Sequence, residues 1–115
     1  MARFASARVE LTFDQTFVNF GKVRRGEKRE HTFTFTNTGT VAVEIDLISS
    51  CECTTVDWSV GKSYQPGERG SFHIVFDSAE KEESETVDID VILRNTDADG
   101  NPIFYILQYQ FELVQ

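Results

Sequence analysis

The chain has 115 residues, ten of them phenylalanine and two cysteine, and it carries a formal net charge of −8. This length fits one ordinary domain over residues 1–115, and it is long enough to bury a core without metal or disulfides. The acidic charge excludes the broad basic surface with which proteins bind nucleic acid. No stretch approaches the roughly 18 apolar residues of a membrane span, and the first ten residues lack the apolar segment of a signal peptide.

Apolar and polar residues alternate along most of the chain, which is typical of strands that are buried on one face. In the first half the alternation is seen in "RVELTF", "EHTFTFTN" and "VAVEIDLIS", with a shorter run over residues 16–20. The apolar positions predicted to share a face within each run are Val9, Leu11 and Phe13, then Phe33 and Phe35, then Val41, Val43, Ile45 and Leu47.

The second half continues the pattern in "GSFHIVFD", "ETVDIDVIL" and "PIFYILQYQFEL", with a short run over residues 54–58. Turn-forming residues separate the runs, and no run has helical spacing. Strands of this length and spacing predict an all-β sandwich or barrel with seven or eight strands. The inward positions are predicted to be Phe72, Ile74 and Phe76, then Val87, Ile89, Val91 and Leu93, then Ile103, Tyr105, Leu107, Tyr109, Phe111 and Leu113.

Two charged segments interrupt the alternation. The basic "KVRRGEKR", residues 22–29, is interpreted as a solvated loop between strands, with an anion site as the alternative. The acidic "DSAEKEESETVDID", residues 77–90, is interpreted as an exposed loop followed by a strand face. It lacks the ligand spacing that a calcium-binding loop requires.

Cys51 and Cys53 stand one residue apart in "SSCECTT". In an extended segment, residues two apart share a face with their Cα atoms roughly 6.5 Å apart, so a bond between them needs a local bend. Three alternatives stay open: two reduced thiols packed in the core, a structural or labile disulfide, and a two-thiolate site for a soft metal. The adjacent carboxylate of Glu52 disfavours a reactive thiolate.

Other chemistry-bearing patterns are sparse. Structural zinc takes four ligands, whereas the chain has a single C-x-C, and His31 and His73 are far from it in sequence. Each histidine is therefore predicted to be an exposed strand residue. The sequence has no G-x-S-x-G turn, phosphate-binding glycine loop or dinucleotide fingerprint. We therefore expect no enzyme activity, no catalytic residue, no resident metal and no cofactor.

The order of motifs resembles a known bacterial family. "FVNFGKVRRGEKREHTFTFTNTGTVAVEI", then "SSCECTT", then "YQPGERGSFHIVFD" is similar to the family named domain of unknown function 1573, over about residues 13–95. The "FTFTNTG" stretch also marks the wider group of ASH, major-sperm-protein and Hydin-like domains. The matching positions are Phe20, Gly21, Gly26, Glu27, Phe33, Phe35, Asn37, Gly39, Cys51, Cys53, Thr54, Pro66, Gly67 and Glu68.

The resemblance implies an immunoglobulin-like antiparallel β-sandwich, and proteins that are often exported to the periplasm or cell surface of bacteria. It supplies no enzyme activity, and relatives in the wider group act as structural or protein-binding modules. One position departs from the family pattern, because Glu52 stands where the family has glycine. Glycine permits a tight bend between the cysteines, and glutamate is expected to disfavour it.

The leading functional hypothesis is a non-catalytic structural or protein-interaction module. Binding of a protein partner is expected at an unpaired sheet edge or at the loops of one end of the sandwich. One alternative is a thiol-redox or soft-metal-handling protein that uses Cys51 and Cys53. A third is a carbohydrate-binding module, for which Trp58, Tyr64 and Tyr105 could supply exposed aromatic rings.

Overall fold

The structure, a computed structural model, describes residues 7–114. These residues form nine strands and no helix. The strands are β1 (Leu11–Phe13), β2 (Phe17–Arg24), β3 (Lys28–Asn37), β4 (Val43–Ser49), β5 (Thr54–Asp57), β6 (Ser63–Tyr64), β7 (Arg69–Asp77), β8 (Glu85–Thr96) and β9 (Pro102–Val114). No helix within the described range is long and apolar enough to cross a membrane.

The strands build two sheets that face each other as an immunoglobulin-like β-sandwich. The first sheet has the order β1-β3-β7-β5, and the second has the order β2-β9-β8-β4-β6. The predicted all-β sandwich is confirmed, and the number of strands exceeds the predicted seven or eight because the two-residue strand β6 is not among the predicted runs. The pairing is antiparallel except that β2 runs parallel to β9.

The core lies between the sheets and is filled by the inward positions of the long strands. As predicted, alternate residues of β7, β8 and β9 are buried, because these strands lie in the middle of their sheets. Phe76 packs its ring against those of Tyr109 and Phe111, at centroid distances of 5.1 and 4.6 Å. These aromatic contacts join the two sheets at the end of the sandwich where the cysteines lie.

Two sequence expectations are wrong in detail. A β-bulge between Ile45 and Leu47 inserts a residue into β4, so Leu47 faces solvent and Ile48 is buried instead. The predicted loop over residues 22–29 is also mostly strand, since β2 continues to Arg24 and buries Val23 completely, and β3 begins at Lys28. Only Arg25 and Gly26 turn the chain within the basic segment.

The two Gly-Glu pairs of the family pattern make equivalent turns. Gly26 and Gly67 have φ of 95° and 85°, which suits the third position of a type II turn and favours glycine there. Glu27 and Glu68 each accept a hydrogen bond from a backbone N–H three residues earlier, at 2.7 and 3.0 Å. This bond lowers the pKa of both carboxyl groups. These matched positions therefore shape the fold.

Candidate functional site

The cysteines lie where the chain crosses from one sheet to the other. β4 ends at Ser49 in the five-stranded sheet, and β5 begins at Thr54 in the four-stranded sheet. The backbone N–H of Thr54 donates to the carbonyl of Cys51 at 3.0 Å, which closes a turn around Glu52. No non-glycine residue in the described range has positive φ, so Glu52 fits this turn without strain. The expectation that glutamate disfavours the bend is therefore wrong.

The turn brings Cys51 and Cys53 together as a disulfide, with their Cα atoms 5.1 Å apart. Of the three alternatives left open by the sequence, this geometry matches the disulfide. Both residues are half-buried and pack against the edge of the core.

Two hydroxyl groups lie against the sulfur atoms. The Thr54 hydroxyl is 3.3 Å from Cys51 Sγ and 3.6 Å from Cys53 Sγ. The Tyr109 hydroxyl is 3.4 Å from Cys53 Sγ and 2.6 Å from Thr54 Oγ1. The Tyr109 side chain is fully buried, and this burial raises its pKa to about 12. The phenol therefore stays protonated at neutral pH and can donate a hydrogen bond.

A surface pocket opens beside the disulfide. One wall is the cysteine turn, and the other is the end of β7 at Asp77 with the segment that follows it, including Glu80 and Lys81. Glu52 also lines the pocket, while the Lys81 ammonium is held by Glu85 at 3.0 Å. The pocket therefore combines an accessible disulfide with a predominantly acidic rim.

The disulfide does little to hold the fold together, which predicts a small cost for removing it. Because the bond closes a loop of only three residues, the chain-entropy relation gives about 1.6 kcal/mol of stabilisation. Cys51→Ser/Cys53→Ser is expected to lower the free energy of unfolding by about that amount, measured by urea denaturation against the oxidised wild type. A loss above about 3 kcal/mol would instead identify the bond as a structural staple.

Neither histidine joins the cysteines. His73 pairs with Asp57 across β5, whereas the carbonyl of Cys53 binds the N–H of Asp77, about 13 Å further along β7. His73 contacts Thr32 and Glu30 on the outer face. Burial, followed by the nearby charge of His73, lowers the pKa of His31. Residues 7–114 contain no cluster of three or more His, Cys, Asp or Glu side chains that could hold a metal ion.

The aromatic residues considered for carbohydrate binding do not form one exposed surface. Tyr64 is 2% exposed and packs against Phe35 in the core. Tyr105 packs edge-on against Phe13, and its hydroxyl accepts the N–H of Leu11 at 2.9 Å. Trp58 is half-buried, and its indole nitrogen is enclosed. These three residues therefore do not supply the flat exposed aromatic surface that the carbohydrate-binding alternative needs.

The structure shows a surface that the strand alternation did not single out. On the outer face of the five-stranded sheet, Leu47 of β4 pairs with Ile92 of β8, and Ile92 pairs with Phe104 of β9. Ile106 follows two residues after Phe104 on the same face. We call Leu47, Ile92, Phe104 and Ile106 the outer apolar patch. The signal that could have revealed it is the unbroken apolar run Ile103–Leu107, which lacks a polar face.

Solved structures share this fold. The chain is similar to the Vibrio cholerae VesB protease, with a TM-score of 0.67 and 22% identity, covering 89% of this chain and 31% of that one. A protein of unknown function from Porphyromonas gingivalis W83 matches with a TM-score of 0.72 and 19% identity, over 97% of this chain and 50% of that one. The ASH / PapD-like domain of human CEP192 matches with a TM-score of 0.64 and 13% identity, over 100% of this chain and 94% of that one.

Identities this low establish a shared fold and leave activity open. The chain spans only 31% and 50% of the first two of these proteins, so it corresponds to part of each. The human domain, by contrast, is matched over nearly its whole length, so the chain shares the fold of that complete domain. No curated protein matches the chain.

The sequence match is more specific than the structural one. The model of the family described as "Protein of unknown function (DUF1573)" matches residues 11–104, most of the chain. This range contains both Gly-Glu turns and the cysteine turn described above. The chain belongs to the DUF1573 family.

Proposed function

We propose that this domain is a non-catalytic protein-interaction module that docks its partner on the outer apolar patch. Leu47, Phe104 and Ile106 are 45%, 57% and 51% exposed. Ile92 of β8 lies between Leu47 of β4 and Phe104 of β9, so the four residues form one continuous apolar area. Contiguous apolar side chains exposed on a sheet face mark an interaction surface, whereas scattered ones do not. This patch is the observation that carries the proposal.

The opposite face of the sandwich supports this interpretation by contrast. The outer positions of the four-stranded sheet alternate with its buried phenylalanines and are mostly polar: Thr32, Thr34, Thr36, Ser71 and His73. Sheets that face only water have such a polar outer side. The outer apolar patch on the other face therefore requires a different explanation, which docking provides.

The charges around the patch favour a particular partner. Asp88 and Asp90 alternate with buried residues of β8, so they lie on the same outer face, and Asp90 is opposite Ile106. Neither carboxylate makes an ion pair within residues 7–114. A second copy of the chain supplies no free cation from β4, β8 or β9, because Arg94, the one basic residue of these strands, is already paired with Glu44 and Asp46. The partner is therefore a different protein, with apolar side chains beside a lysine or arginine.

The sheet edges are less suited to this role. The outermost strands β1, β5 and β6 are two to four residues long, and β2 has an irregular register between Asn19 and Lys22. Short and bulged edges hinder the addition of a partner strand. For this reason we place docking on the sheet face instead of at the edges or end loops.

A random peptide library displayed on phage tests the docking surface. Peptides selected on the wild-type domain are expected to combine apolar and basic residues. Phe104→Ser/Ile106→Thr is expected to weaken their binding about thirtyfold, which corresponds to a loss of about 2 kcal/mol from a buried apolar contact. Isothermal titration calorimetry measures the Kd values.

The matched control is Val75→Thr, which changes an apolar residue on the outer face of the opposite sheet. It should leave the Kd unchanged, while Asp90→Asn should weaken binding and reduce its salt dependence. Equal Kd values for the wild type and Phe104→Ser/Ile106→Thr would refute the proposal. So would a wild-type dimer in sedimentation that this double variant dissociates, because the patch would then bind a second copy.

We also propose a periplasmic or cell-surface location in a bacterium. The pairing of Cys51 with Cys53 supports it, because disulfides persist in oxidising compartments and are rare in the reducing cytosol. Among the similar structures, two come from bacteria and one is a periplasmic chaperone, which supports this proposal.

A further inference from the structure

The Cys51–Cys53 disulfide is not needed to hold its surroundings in place. The turn is already fixed by the bond from the Thr54 N–H to the Cys51 carbonyl and by the bond from the Asp77 N–H to the Cys53 carbonyl. The Ser50 hydroxyl also donates to the carbonyl of Asp88 on β8, at 2.8 Å. A disulfide that links residues two apart therefore adds no connection between distant parts of the fold.

The bond is placed where a second thiol can reach it. Both cysteines are half-buried and line the open pocket between the cysteine turn and the segment after β7. Exchange requires that an attacking thiolate approach a sulfur atom, and access is one of the conditions that separate labile from inert disulfides.

Two hydroxyl groups beside the sulfur atoms can stabilise the thiolate that leaves when the disulfide is attacked. The Tyr109 hydroxyl is 3.4 Å from Cys53 Sγ, and the Thr54 hydroxyl is 3.3 Å from Cys51 Sγ. The two hydroxyls also contact each other. One hydroxyl proton makes the hydrogen bond between them, and the other can be donated to a sulfur atom. A hydrogen bond to an ionised acceptor is stronger than one to a neutral acceptor. This pair therefore stabilises the thiolate more than the intact disulfide.

The rim of the pocket selects the charge of the attacking molecule. Glu52, Asp77 and Glu80 line it, and the Lys81 ammonium is already engaged by Glu85. The negative electrostatic potential of these carboxylates concentrates cations near the sulfur atoms and repels anions.

We propose that Cys51 and Cys53 form a thiol–disulfide exchange site for cysteines flanked by lysine or arginine. The substrate thiolate attacks one sulfur, the Cys51–Cys53 bond breaks, and the other cysteine leaves as a thiolate with the electron pair. A second substrate thiolate then attacks the mixed disulfide and releases the oxidised substrate. Two substrate thiols become one disulfide, and their two protons and two electrons remain as the thiols of Cys51 and Cys53. This site is independent of the outer apolar patch.

The test measures reduction of the native protein by three capped tripeptides, Lys-Cys-Lys, Ser-Cys-Ser and Glu-Cys-Glu, with intact mass as the readout. Each rate is divided by the rate of the same peptide with bis(2-hydroxyethyl) disulfide, which removes differences in thiol pKa. At low salt the cationic peptide is expected to react at least about tenfold faster than the anionic one, and high salt should reduce this ratio. Reduction should proceed through a mixed disulfide of the expected mass.

Two variants and one control variant separate the proposed roles from a structural effect. Glu80→Gln should reduce the preference for the cationic peptide, whereas Asp99→Asn, in the distant turn between β8 and β9, should not. Tyr109→Phe should slow exchange with all three peptides about tenfold while leaving their ratio unchanged. Equal normalised rates for the three peptides would overturn the proposal. So would a disulfide that reacts only in denaturant, or native thiols that diamide does not oxidise.

Discussion

Replacing Phe76 with alanine is expected to lower the free energy of unfolding by about 3–5 kcal/mol, because a fully buried ring is lost and a cavity remains. Phe76 contacts Phe111, Tyr109 and Phe20, at ring-centroid distances of 4.6, 5.1 and 6.3 Å. It therefore joins the two sheets directly beneath the cysteine turn. The expected loss is a large part of the total free energy of unfolding, which is about 5–15 kcal/mol for a typical domain. Urea denaturation followed by tryptophan fluorescence measures the loss.

Phe104→Ala is the matched control, since it removes the same side chain from a position that is 57% exposed. It should cost less than about 1 kcal/mol, because little apolar surface is returned to water. If both variants lost the same free energy, Phe76 would not be the centre of the core. Phe76→Ala should also slow thiol exchange, since the ring of Tyr109 would lose the neighbour that holds its hydroxyl against the sulfurs.

The inward faces of the long strands could be predicted from the sequence because burial there has a simple cause. β7, β8 and β9 each lie between two neighbours in their sheet and bury one side against the opposite sheet, so their apolar residues recur with period two. The same reasoning gives the wrong buried face for the second half of β4. Its segment "VEIDLIS" alternates as far as Leu47, but the bulge before Leu47 reverses the faces. A bulge leaves no consistent mark in a single sequence when both Leu47 and Ile48 are apolar.

For the candidate sites, too, contacts between residues close in sequence could be predicted, whereas contacts between distant residues could not. The closeness of Cys51 and Cys53 follows from their spacing, but the Tyr109 hydroxyl reaches them from 56 and 58 positions away along the chain. Only the pairing of the two sheets brings these groups together. The outer apolar patch likewise depends on register, which aligns Leu47, Ile92 and Phe104 across three strands. Strand register of this kind is set by the whole sheet.

The second large effect is expected at Asn37, which is 1% exposed. Its side-chain amide donates to the carbonyls of Val41 and Tyr64 at 2.9 and 2.8 Å and accepts the N–H of Gly39 at 2.9 Å. Asn37→Leu keeps the volume but leaves these backbone groups without a side-chain partner. Since each unsatisfied buried group costs about 1–3 kcal/mol, we expect a loss of about 3–4 kcal/mol in urea denaturation.

Asn95→Leu provides the comparison, because Asn95 also bonds two backbone groups, Ala42 O and Glu44 N–H, but is only half-buried. Water can replace its amide, so its loss should stay below about 1 kcal/mol. A similar small loss at Asn37 would mean that water reaches Val41, Gly39 and Tyr64 as well. If the large loss is found, the Asn-x-Gly part of the family motif has a structural explanation. Asn37 ties the turn after β3 to Tyr64 of β6, and β6 in turn pairs with the start of β4, the strand that supplies Leu47 to the outer apolar patch.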